Sequence, residues 1–136
     1  MKKGLIVALL CILGIAAKAQ NIVNNTRCDI TITPVCYNPT TCAYTTCGTT
    51  VVVTAGSTVA IPACLCPVSS NYQGYSICWL STSSLCGPCV TLGACGMSSY
   101  PCPDFQPTAR LSSCDNCTAH VGANISCTSS GNIVVQ

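Results

Sequence analysis

Cysteine density governs what this chain can become. From Cys28 to Cys127 a cysteine falls about every seven residues: Cys28, Cys36, Cys42, Cys47, Cys64, Cys66, Cys78, Cys86, Cys89, Cys95, Cys102, Cys114, Cys117 and Cys127. Fourteen thiols in so short a span must be spent on metal or on one another, because thiolates bind metals and oxidised thiols form bridges. The compartment decides between these outcomes. A reducing cytosol favours metal sites or catalysis, and an oxidising exterior favours disulfides.

The first residues point to the exterior. Met1-Lys2-Lys3 is a short positive start, Gly4 to Ala17 is apolar, and Ala17-Lys18-Ala19 is a small-x-small pattern before Gln20. That three-part layout predicts a cleavable secretory signal over 1–19, cut after Ala19. A spanning helix needs about 20 apolar residues, which this stretch does not reach. The fifteenth cysteine, Cys11, follows Leu9 and Leu10 rather than the small residue a lipidation site requires, so it reads as an apolar residue of the signal. Residues 20–136 then form a single domain with seven possible bridges and no transmembrane segment.

Removing the signal also removes Lys2, Lys3 and Lys18. What remains is Arg27 and Arg110 against Asp29, Asp104 and Asp115, a formal net charge of −1, with no Lys and no Glu. Two arginines 83 positions apart make no phosphate-binding patch, which argues against nucleic acid as a partner. A polybasic membrane contact fails for the same reason. A net charge near zero gives weak colloidal repulsion, so a surface glycan or protein, or self-association, is the expected kind of partner.

Three zones follow one another. Residues 20–63 read as strands: Asn21–Asn25, then Cys28–Thr33 with period-two alternation that Pro34 is expected to stop. Thr49–Thr54 and Thr58–Ile61 are β-branched runs joined by Ala55-Gly56-Ser57, the pattern of a hairpin. Residues 64–117 read as cross-linked loops around one strand, Tyr75–Leu80. Residues 118–136 return to strands, with Ala119–Cys127 and Asn132–Val135 forming a hairpin and the last strand lying beside the first. No stretch has a convincing helical period. The fold class expected is all-β, a small disulfide-rich β-sandwich-like domain with long cross-linked loops and little or no helix.

Asn24-Asn25-Thr26-Arg27-Cys28-Asp29-Ile30-Thr31-Ile32, followed by Val53–Pro62, resembles small secreted cysteine-rich β-domain proteins of Bacteroidota. The resemblance covers about 40 residues, mostly strand and turn chemistry. It implies a β-sandwich-like fold and implies no activity.

Several constellations carry possible chemistry. Cys86-Gly87-Pro88-Cys89 is identical to the thioredoxin active-site tetrapeptide, which implies thiol–disulfide exchange at Cys86 and Cys89. That chemistry needs the first thiol at a helix N-terminus inside a βαβ unit, and the flanking residues suit neither. Cys64-x-Cys66, Cys86-x2-Cys89, Cys114-x2-Cys117 and His120 offer zinc-like spacings, but oxidation competes for the same sulfurs after export. A hydrolytic set would rely on His120, the only histidine, with Asp115 and a serine that lacks a nucleophile elbow. A paired-carboxylate mechanism has only Asp29, Asp104 and Asp115 to draw on. One Thr31-Ile32-Thr33 unit does not make the regular array an ice-binding plane needs.

Sugar recognition uses aromatic faces and neutral polar groups, and Tyr72, Tyr75 and Trp79 with Asn71 and Gln73 supply both. The competing reading places Trp79 in the core. Sequons begin at Asn24, Asn116 and Asn124 and matter only where asparagine is glycosylated. The expectation is therefore a non-enzymatic protein of the cell surface or medium, either structural or an interaction partner. It needs no cofactor or metal, and its alternatives are glycan binding and thiol exchange.

Overall fold

A computed structural model describes residues 20–81, 86–114 and 122–136. Residues 1–19, the expected signal, together with Asp115, Asn116, Cys117 and His120, lie outside the described residues. Ten strands run in chain order: β1 (Asn21–Asn24), β2 (Ile30–Tyr37), β3 (Tyr44–Thr46), β4 (Val51–Val53), β5 (Thr58–Ala60), β6 (Tyr72–Trp79), β7 (Val90–Gly93), β8 (Thr108–Leu111), β9 (Ala123–Cys127) and β10 (Ile133–Val135). No helix occurs among the described residues.

The strands form two sheets. One has the order β5-β1-β10-β9-β8; the other has β3-β2-β6-β7, with β4 pairing the first half of β2. Alternation along the strands gives each sheet one apolar face. Ile22, Leu111, Ile125, Ile133 and Val135 from the first sheet meet Ile30, Ile32, Val53, Ile77 and Leu92 from the second in one buried cluster. This is a small, all-β, disulfide-rich sandwich.

The chain ends meet as the sequence suggests. β10 pairs antiparallel with β9 and parallel with β1, with Ile22 opposite Ile133. The expected hairpin over 49–61 does not form. β4 pairs β2 in one sheet and β5 pairs β1 in the other. The turn itself exists: Ser57 N–H donates to Thr54 O at 3.1 Å, and Gly56 takes φ 73°. It serves as a crossing between sheets because β1 captures it: Gly56 N–H donates to Asn24 O at 2.8 Å and Asn24 N–H donates to Ser57 O at 2.9 Å.

Pro34 does not end its strand either. In an antiparallel ladder one residue's N–H and C=O point to the same edge. The Pro34 carbonyl accepts from Cys47 N–H at 3.0 Å, on the β3 side. Its missing N–H therefore falls in the gap between β4 and β3, where no ladder bond is needed.

Two strands, β7 and β8, form in the zone that the sequence presents as loops. Each has four residues, too few to display alternation, and each is recruited by a longer neighbour, β6 or β9.

Six bridges are resolved: Cys36–Cys66, Cys42–Cys102, Cys47–Cys64, Cys78–Cys89, Cys86–Cys114 and Cys95–Cys127. Cys28 is disulfide-bonded as well. Every described cysteine is thus oxidised.

Candidate functional site

The sequence-proposed sites fare differently. Cys86 and Cys89 do not bridge each other; Cys86 joins Cys114 and Cys89 joins Cys78. The two cysteines of the tetrapeptide are therefore separate anchors on a non-helical segment. Its glycine has a packing reason, since a Cβ at Gly87 would overlap Ser112 Oγ. The zinc-like spacings resolve the same way: Cys64, Cys66, Cys86 and Cys114 are all consumed in bridges. One sulfur group among the described residues has metal-like proximity, with the Sγ atoms of Cys36, Cys64 and Cys66 within 4.8 Å of one another. It is the meeting point of two bridges, and bridged sulfur is not a thiolate ligand.

The aromatic trio does not assemble into a platform. Tyr75 and Trp79 point into the sandwich and are 2 % and 8 % exposed, whereas Tyr72 is 37 % exposed on the opposite face. Trp79 Nε1 donates to Ser112 O at 2.8 Å, and Tyr75 OH donates to Gln20 Oε1. Burial pushes the Tyr75 hydroxyl up to about 12 and also raises that of Tyr37. The period of two already separates Tyr72 from Tyr75 and Trp79, so a strict count along the strand divides the trio.

What the structure does assemble lies at the β2–β6 end of the second sheet. There Tyr37 stands opposite Tyr72 and Cys36 opposite Gln73. On the outer face Val35, Tyr37, Cys102 and Phe105 form a second buried cluster. Tyr37 stacks on Phe105 at 3.9 Å, and Tyr72 meets Tyr37 edge-on at 5.8 Å. The covering segment, residues 97–105, can lie this close because β6 and β7 place Gly74 opposite Gly93. A Cβ on Gly74 would come within 2.7 Å of the Phe105 ring, and one on Gly93 within 2.6 Å of Tyr100.

Where this segment rises from the sheet it leaves a groove of about 410 Å³ lined by Asn71, Tyr72, Gln73, Met97, Ser98 and Ser99. No charged residue among the described residues lines it. The Oδ1 of Asn71 is buried and accepts no hydrogen bond, the sole such buried side-chain atom among the described residues. A buried acceptor without a donor costs about 1–3 kcal/mol. Sequence reasoning brings Asn71, Tyr72 and Gln73 into view and misses Met97–Ser99, whose approach depends on the paired glycines.

The crossover from β5 to β6 is pinned twice. Cys64 ties it to Cys47 beside β3, and Cys66 ties it to Cys36 of β2. Leu65, between them, is 92 % exposed. A second hollow of about 460 Å³ lies by Tyr44, Thr91, Asp104 and Thr108, and Asp104 is its one carboxylate among the described residues.

In comparisons against protein families, curated proteins and solved structures, nothing matches this chain.

Proposed function

We propose that this chain is a secreted, non-enzymatic protein of the cell surface or extracellular medium, acting as a structural or interaction partner. The observation that carries the reading is the oxidation of every described cysteine. A framework of this density persists only where thiols are not continuously reduced. No helix among the described residues is long and apolar enough to cross a membrane. Fractionation of the producing cells tests the reading. Recovery with envelope, matrix or medium, starting at Gln20, is the expected result; retention in the cytosol with free thiols would remove it.

One observation favours glycan recognition as a second reading. The partly exposed ring of Tyr72 lines one groove together with the neutral polar residues Asn71, Gln73, Ser98 and Ser99. A neutral saccharide fits that chemistry, with its hydroxyls hydrogen-bonding to the neutral polar side chains and a sugar face resting on the ring. A glycan array with the wild type and Tyr72→Ala tests it. Loss of signal in the variant supports the reading, and absence of signal in the wild type removes it. Trp79→Ala is unsuitable as the probe, because Trp79 is part of the core.

A further inference from the structure

We propose that the segment Pro62–Pro67 is a substrate-like inhibitory loop, with Leu65 as the side chain that enters the primary pocket of an apolar-specific serine endopeptidase. The inference rests on the interaction-protein reading above and names the partner class.

Four observations converge on this segment. First, Leu65 is 92 % exposed, the most exposed large hydrophobic side chain among the described residues. A monomer gains nothing from holding leucine in water, and its position is not accidental, because both neighbours are bridged. Second, exposure alternates: Ala63, Leu65 and Pro67 are exposed while Cys64 and Cys66 are half-buried. That alternation marks an extended backbone, although the segment pairs with no strand. Third, the backbone N–H groups of Ala63, Cys64, Leu65 and Cys66 and the carbonyls from Pro62 to Pro67 make no hydrogen bond within the chain among the described residues. They remain available for the main-chain pairing by which a peptidase cleft reads an extended peptide. Fourth, the flanks are held independently, Cys64 to Cys47 and Cys66 to Cys36, with Cα–Cα distances of 5.6 and 5.5 Å. Cys36 is itself 1 % exposed within β2, so this anchor is fixed by the core. A loop already held in its bound shape loses little entropy on docking.

The same anchors explain why such a loop would inhibit rather than be consumed. Hydrolysis of the Leu65–Cys66 bond adds one water, leaving a carboxylate on Leu65 and an amine on Cys66, with both bridges intact. Each new end stays tied to the sandwich through its own bridge. Neither fragment diffuses away, so resynthesis competes with release and the cleft stays occupied. An apolar pocket is specified because Leu65 has no charge to offer a basic- or acidic-specific peptidase.

The test uses the oxidised secreted chain against chymotrypsin and trypsin with small chromogenic substrates. The wild type should inhibit chymotrypsin and spare trypsin. Leu65→Phe should retain this pattern, and Leu65→Gly should weaken it at least ~100-fold, the loss expected of an anchor residue. Leu65→Arg should transfer inhibition from chymotrypsin to trypsin, a switch that a merely structural leucine cannot produce. Alkylation without reductant confirms that each variant keeps its bridges. A wild type that does not inhibit chymotrypsin, or a Leu65→Arg variant that leaves chymotrypsin inhibition unchanged, overturns the assignment. If that happens while the chain still fractionates with the envelope, the inhibitor loop fails and the surface reading stands. Inhibition by a chain found only as free monomer in the medium keeps the loop and overturns the surface role.

Discussion

At the residue scale, Asn24 illustrates how a buried polar group joins two sheets. It is fully buried, in β1 of one sheet. Its Nδ2 donates to Cys28 O at 2.8 Å and to Val53 O of β4 in the other sheet at 3.0 Å. Its Oδ1 accepts from Thr26 N–H at 3.1 Å and from Thr26 Oγ1 at 2.6 Å. Asn24→Ala strands these partners in the interior and should cost about 2–4 kcal/mol, measured by urea unfolding of the oxidised protein. The same burial removes Asn24 as a glycan acceptor in the folded state, whereas Asn124 is exposed.

Tyr75 makes a second residue-scale prediction. Its hydroxyl is raised to about 12 in the fold against 10.0 for the ordinary phenol. An unfolded chain then loses the proton first as pH rises, so stability is intact below pH ~10 and declines between ~10 and ~12. Tyr75→Phe should flatten that decline in urea midpoints taken across the range. An unchanged decline would shift the cause to Tyr37, whose hydroxyl burial also raises.

At the scale of elements, glycine acts in two distinct ways. Gly56 sits at φ 73° with open space where a Cβ would stand, so Gly56→Ala is a backbone matter alone, worth about 1–2 kcal/mol. Gly74 is not in the left-handed region, but a Cβ there would come within 2.7 Å of Phe105 and 2.9 Å of the Leu92 carbonyl. Gly74→Ala forces that ring off the sheet at a cost of about 1–3 kcal/mol. The two are separable in near-ultraviolet circular dichroism: the Gly74 variant should alter the Tyr37–Phe105 signal and the Gly56 variant should leave it unchanged. Edges follow the same economy of contact. β3, β4 and β5 have three residues each, and short edge strands limit pairing with other chains.

For the whole molecule, bridges of different reach have different duties. Cys78–Cys89 ties neighbouring parts of one sheet, its partners separated by 11 positions along the chain. Cys95, two residues past β7, is bonded to Cys127 of β9 and so ties one sheet to the other. Replacing both Cys95 and Cys127 by serine should cost about 2–5 kcal/mol, because the denatured chain regains a long open loop. Full reduction should remove resistance to heat and to thermolysin together, as a chain this small with almost no charge has little else to hold it. Persistent resistance in excess reductant would mean that the apolar clusters suffice without the bridges.

Much of this molecule is legible in the chain. Cysteine density points to disulfides, since that chemistry depends on residue type. Apolar–polar alternation in Ile30–Thr33 and Tyr75–Trp79 specifies strands and their apolar faces, because a period of two is a local property, and the β-branched run Ile133–Val135 specifies a strand by residue type. Partner choice is not local. Which cysteine meets which, that β4 and β5 part into different sheets, and that Pro34 falls in a ladder gap all depend on residues far apart in sequence. The candidate sites are of this second kind. Asn71, Tyr72 and Gln73 are adjacent in the chain, yet they line a groove only because Gly74 and Gly93 let the distant Met97–Phe105 segment lie flat. Leu65 is an ordinary apolar residue in sequence. It became a presented side chain only when Cys64 and Cys66 found different partners, and that pairing is settled by how the sandwich closes.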